Sequence, residues 1–93
     1  MKKITGNPTN IKEAIQCVIK ALSPKDKSEI IKFPKKDLIL LHMSMGMVIR
    51  NDLKLHSMET PLMNSIGFPD ADGVSSDIID GVWKELRKKS KPI

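Results

Sequence analysis

Apolar residues recur along this chain with helical rather than strand periodicity. Ile11, Ala14, Ile15, Val18, Ile19 and Leu22 follow at steps of three and four, which puts them on one side of a helix. Asn10 stands ahead of them as an N-cap, and Glu13 three places on completes the pattern of a capping box, so the spacing predicts a helix over 11–22. Ser23-Pro24 is a second start signal, a capping hydroxyl followed by the residue best suited to the first helical position. It predicts a short helix over 24–32 with Ile30, Ile31 and Phe33 turned inward. Pro34 interrupts that helix and opens a third, over 35–52. Leu53 and Leu55 are expected to pack back on the bundle. Thr60-Pro61 starts a short helix through Ser65 that Gly67 ends, and the breakers from Phe68 to Gly73 predict a loop. Ser75 or Ser76 then caps a last helix over 76–89, with Ile78, Ile79, Val82, Trp83 and Leu86 on its inner face. Asp77 falls in its first turn and Arg87, Lys88 and Lys89 in its last, which suits the helix dipole.

No stretch alternates as a strand would, and no segment repeats. The expected fold is all-α, a compact bundle of four to five short helices around a buried central helix. Residues 1–9 are expected as a flexible arm, 10–89 as a single helical domain and 90–93 as a tail. Leu38, Leu41, Met45, Ile49, Val82 and Trp83 should share one core.

The third helix differs from the others. From Leu38 to Ile49 it is apolar on almost every face, and a helix of that kind is normally buried among others. Yet His42, Gly46 and Arg50 sit at four-residue spacing, on one side of it. Polar groups held in an interior need partners. Arg50 is therefore expected to pair with Asp70 or Asp72, with His42 close by, and Arg50 and Asn51 to tie the helix to the segment that follows. Gly46 costs about 1 kcal/mol against Ala in a helix, which points to close approach by another segment or a ligand. Met43, Met45 and Met47 read as adaptable filling rather than as thioether ligands for copper.

Ninety-three residues make one domain with one modest core and little room for a deep substrate pocket. The chain is 40% apolar and 29% charged, ordinary for a globular protein, but only 3% aromatic, which argues against an RNA-binding surface of stacked rings. Its formal charge of +5 comes from 16 Lys and Arg against 11 Asp and Glu. Part of the excess lies at the ends, in Lys2, Lys3, Arg87, Lys88, Lys89 and Lys91, and such basic ends are usually solvated. The single cysteine, Cys17, excludes an intrachain disulfide and falls in an apolar helical pattern. Met1-Lys2-Lys3-Ile4 resembles the start of a signal peptide, but Gly6-Asn7-Pro8 interrupts it and no apolar run of adequate length follows. No segment is long and apolar enough to span a membrane. A cytoplasmic protein with no membrane partner is expected.

Candidate chemistry is sparse. Asp70-Ala71-Asp72-Gly73 is similar to the opening of a calcium loop, but its glycine comes too early and the twelfth position is Gly81. It reads better as a turn and helix cap. His42 and His56 lack further ligands at zinc-site spacing. His42 with Arg50 is a combination that can act on a phosphodiester, as base and electrostatic clamp. The structural role weighs more, because glycine-rich phosphate loops, nucleophile elbows and Cys/His pairs are all missing from the sequence. No catalytic residue, metal ligand or cofactor is expected, and the protein is not expected to be an enzyme.

The motif Leu41-His42, Gly46, Ile49-Arg50-Asn51 and Leu55 resembles that of a family of small uncharacterised bacterial domains, in which Leu-His, Gly and Ile-Arg-Asn follow at this spacing. The family also tends to carry a Pro-Asp-Asp turn and a Ser before a final helix with a Trp, read here as Pro69-Asp70, Asp72, Ser75 and Trp83. The resemblance spans about residues 10–87. It departs at Val48, where an aromatic is common, and in the spacing around Asp72. It implies the fold and gives weight to His42, Arg50 and Asn51, but brings no established activity. By analogy, small domains of this kind can serve as immunity proteins beside bacterial toxins.

The expected function is a non-enzymatic protein-binding module, an immunity-type inhibitor that neutralises a bacterial toxin domain. The alternative is a nucleic-acid or nucleotide-binding module using the basic surface and Arg50. The polar stripe for either role is His42, Gly46, Arg50, Asn51, Asp70 and Asp72. The basic charge calls for an acidic surface on a protein partner.

Overall fold

The computed structural model describes residues 2–55, 57, 60–67 and 70–90. The described elements are all helical: α1 Ile11–Ala21, α2 Pro24–Ile31, a short 3-10 turn Lys35–Asp37, α3 Leu38–Asp52, α4 Pro61–Ile66 and α5 Ala71–Ser90. His56, Met58 and the Phe68-Pro69 step fall outside the described residues.

Local signals fix most boundaries. Asn10 Oδ1 accepts from the Glu13 N–H at 2.8 Å and starts α1. The Glu13 carboxylate does not return the bond to Asn10, as a capping box would. It reaches one residue further, to the N–H and the hydroxyl of Thr9, both at 2.8 Å. The reciprocal box forms at α2 instead, where Asp26 N–H donates to Ser23 Oγ and Ser23 N–H to Asp26 Oδ2, each at 3.1 Å. Thr60 caps α4 by accepting from Met63 N–H at 3.3 Å, and Gly67 closes it in the left-handed region at φ 82°. The start of α3 moves from 35 to 38 because the turn after Pro34 is 3-10.

At the other end of α3, Leu55 N–H donates to Arg50 O at 2.9 Å and Lys54 N–H to Asn51 O at 3.3 Å. That pair is a Schellman motif, whose left-handed position is usually glycine. Here it is Lys54, at φ 54°.

The last helix begins five residues earlier than the sequence suggests. Asp70, not Ser75 or Ser76, caps it, accepting from Gly73 N–H at 3.0 Å. Gly73 reads as a breaker but serves in the first turn, where the Asp70 carboxylate folds over the place its Cβ would take. With α5 begun at Ala71, Ser75 lies inside the helix and is buried, and Asp72 rather than Asp77 is in the first turn.

α5 packs against α1, α2 and α3. It buries Val74, Ile78, Ile79, Val82, Trp83 and Leu86. Opposite them lie Ala14, Val18 and Ile19 of α1, Ile30 of α2, and Leu38, Leu41 and Ile49 of α3. Met45 packs on this core from the side. Gly81 lets Ile15 of α1 come against the α5 backbone, where any Cβ would collide with the Ile15 Cδ1.

Two expectations change. α3 is not buried on every side: Ile39, Leu40, Met43, Met47 and Val48 are exposed, Met43 by 76%. The hub is α5. An all-round apolar helix has no sidedness of its own, so its buried face is set by what packs on it. Residues 2–9 form no helix or strand, and they close the domain rather than leave it as an arm. Lys2 N–H donates to Ala21 O at 2.9 Å, Ile4 N–H to Asp52 Oδ2 at 3.0 Å, and the Ile4 side chain is 2% exposed.

Candidate functional site

The polar stripe of α3 faces α5, and α5 offers a carboxylate to both its His and its Arg. His42 Nε2 lies 3.2 Å from Asp80 Oδ1. A carboxylate only accepts, so Nε2 carries the hydrogen in this contact. The partner is a mid-helix residue of α5, so His42 does not join the Arg50 pair beside which it was expected. Arg50 lies about two turns along α3, some 12 Å away. Its Nη1 is 3.0 Å from Asp72 Oδ1 and donates to Ser75 Oγ at 3.4 Å. The Ser75 hydroxyl donates in turn to Asp72 O at 3.0 Å.

Gly46 completes the arrangement. It is buried, and a Cβ on it would stand 3.0 Å from Arg50 Nη1 and 3.9 Å from Ser75 Oγ. The close approach expected at this glycine is real, but the approaching group is the guanidinium one turn along the same helix. Asp72 is the carboxylate that Arg50 takes. Asp70 is not brought to the stripe, because it caps α5. Asn51 is exposed, and its side chain makes no hydrogen bond among the described residues; only its carbonyl serves, in closing α3.

This geometry is that of a brace between two helices. His42 and Arg50 converge on no common point, so they frame no reacting atom. Among the described residues no buried side-chain nitrogen or oxygen lacks a partner, and no three His, Cys, Asp or Glu side chains gather where a metal would sit. Asp72 is 84% exposed at its side chain, so its pair with Arg50 is worth only about 0.2–1 kcal/mol.

A second polar cluster was missed at the sequence level. Trp83 Nε1 donates to Phe33 O at 2.8 Å, and Arg87 Nη1 donates to Phe33 O and Ile31 O at 3.3 and 3.4 Å. The Arg87 guanidinium lies 4.8 Å over the Trp83 ring. Together they hold Ile31 O at the C-terminus of α2, a favourable place for a cation, and Phe33 O two residues beyond it. The signal was a Trp followed four places later by an Arg on one helix.

What remains unsatisfied is apolar. Between Leu38 and Ile49 the exposed residues of α3 come in adjacent pairs one turn apart: Ile39 and Leu40, Met43 and Ser44, Met47 and Val48. They form a stripe without a charge, on the side of α3 turned away from α5.

The chain belongs to a family described as a domain of unknown function, DUF6794, whose model matches residues 7–86. No curated protein and no solved structure matches it.

Proposed function

We propose that the protein is a non-enzymatic protein-binding module whose contact surface is the exposed face of α3. The observation that carries this reading is the exposure of Ile39, Leu40, Met43, Met47 and Val48, at 61, 52, 76, 63 and 38%. Apolar side chains gathered at this exposure mark interaction sites, and an apolar helix face is a common way for proteins to meet. Two of the five are methionines, whose flexible thioethers adapt to a partner's shape. An immunity-type inhibitor of a bacterial toxin fits this class: it would lay α3 over the toxin's working surface and meet acidic groups there with the surrounding lysines. The lone thiol of Cys17 suits a reducing compartment, so the partner is sought in the cytoplasm. No helix of the described residues is long and apolar enough to cross a membrane.

The nucleic-acid reading rested on Arg50 and the basic ends. Arg50 is engaged by Asp72 and Ser75, which favours the protein-binding reading. The test is a pull-down from the native host with the neighbouring gene product expressed, using the parent and Met43→Glu. A stoichiometric protein partner, lost in Met43→Glu, supports the proposal. Recovery of nucleic acid alone, with affinity falling steeply as salt rises, rejects it.

A further inference from the structure

We infer that the exposed face of α3 is covered by a second copy of this chain, in a two-fold dimer with the two α3 helices antiparallel. The inference rests on the reading of α3 as a protein contact surface, and the second copy is what covers that face in the isolated chain, until another partner displaces it.

Three features point to a second copy. The stripe reads alike in both directions: an apolar pair at 39 and 40, Met43 beside Ser44, and an apolar pair at 47 and 48. A two-fold axis passing between positions 43 and 44 lays Leu40 on the partner's Met47 and Ile39 on its Val48. The same axis seats each Met43 over the small Ser44 of the other copy. A two-fold interface must be self-complementary in this way.

The second feature is area. At the exposures given above, the face presents on the order of 500–600 Å² per copy, the upper end of what a monomer normally leaves open. Two copies would bury at most about 1,000 Å² or slightly more, at the lower bound of specific interfaces and in the size class of weak, transient ones.

The third feature is the charge around the stripe. The stripe itself has none, so nothing charged is desolvated at its centre. Lys35 and Lys36 are exposed at its N-terminal end; at the other, Asn51 and Lys54 are exposed, and Asp52 is half-buried with Oδ2 accepting from the Ile4 N–H. Parallel helices would stack Lys35 and Lys36 of one copy on those of the other, and antiparallel helices place each pair beside the partner's uncharged Asn51 instead.

Sedimentation equilibrium of the purified chain from about 5 to 500 μM, a span suited to a weak interface, measures the association. Circular dichroism establishes that each variant is folded. The parent is expected to pass from monomer to dimer across this range, and Met43→Glu to remain a folded monomer throughout. On a Cys17→Ala background, Ser44→Cys is expected to cross-link to its partner copy under mild oxidation, and Asn51→Cys, at the far end of the helix, is not. Cross-linking at both positions alike would overturn the antiparallel arrangement. A dimer that survives Met43→Glu would place the contact elsewhere and overturn the inference. A parent that stays monomeric at every concentration overturns it too, while loss of a different protein partner in Met43→Glu would leave the protein-binding reading standing.

Discussion

Gly46 has no side chain where the Arg50 guanidinium lies: a Cβ there would meet Nη1 at 3.0 Å. Glycine inside a helix costs about 1 kcal/mol against alanine, so its place here is explained by the cation it accommodates. Gly46→Ala should return that full amount, about 1 kcal/mol, only when Arg50 is also replaced by Ala. In the parent, the gain should be clearly smaller, because Nη1 must leave Ser75. A double-mutant cycle by urea denaturation measures the difference. Simple additivity would show that Arg50 moves aside without loss.

Trp83 and Arg87 hold the end of α2. Trp83→Phe keeps most of the apolar bulk but removes the bond to Phe33 O, and should cost about 1–3 kcal/mol. Arg87→Lys keeps the charge but loses the planar group over the ring, and should cost roughly 0.5–1 kcal/mol. Thermal denaturation followed by tryptophan fluorescence reads the second variant, and circular dichroism reads the first.

Lys54 occupies the left-handed position of the Schellman motif at φ 54°. That conformation costs a non-glycine residue about 1–2 kcal/mol, part of which glycine gives back through its freer unfolded chain. Lys54→Gly should therefore stabilise the protein by about 0.5–1 kcal/mol. An unchanged or lowered denaturation midpoint would mean that the lysine side chain contributes more than its backbone costs.

The N-terminal segment gives the fourth expectation. Ile4 is 2% exposed and its N–H is bound by Asp52. Ile4→Ala should cost about 2–5 kcal/mol, the range for a buried isoleucine, and removal of residues 1–5 should cost at least as much. A free arm would show no change in either experiment.

Acid should loosen the first turns of α1 and α2. The Thr9 N–H, and then its hydroxyl, hold the Glu13 carboxyl below its ordinary 4.5; the Ser23 N–H, and then its hydroxyl, do the same for Asp26 below 3.8. A pKa depressed by folding contributes stability that is complete above the ordinary value and is lost as pH falls through the folded one. Both contributions therefore decline on acidification from those two values downward. Carbon-detected NMR titration should show each pKa returning only partway in Thr9→Val and Ser23→Ala, since the backbone donors remain. A full return would make the hydroxyls the main cause.

The caps of α1, α2 and α4 were legible in the sequence because each depends on residues within a few places of one another. The start of α5 was not, since Gly73 outweighed Asp70 in a local reading. In the structure the Asp70 carboxylate occupies the space over that glycine. The pairing of Arg50 with Asp72 could be foreseen as far as a choice between Asp70 and Asp72, because a half-buried guanidinium needs a carboxylate. His42 meeting Asp80 could not, because that contact depends on how α3 and α5 cross. For the same reason the sequence could not tell which side of Leu38 to Ile49 would face water. Gly81 was passed over, though a glycine amid Ile78, Val82 and Trp83 is the kind of position where a neighbouring helix comes close.

α5 is the element on which α1, α2 and α3 all pack, and it is the last of them in the chain. On a ribosome, three helices with apolar faces are therefore made before the surface that buries them exists. The early helices have only one another, and Ile4 must wait for Asp52. Folding should come as one late event, after residue 86 has cleared the exit tunnel, rather than helix by helix. Until then the nascent chain exposes Val18, Ile30, Leu41 and Ile49 together with the open face of α3, and it is during synthesis that this protein has most need of a chaperone.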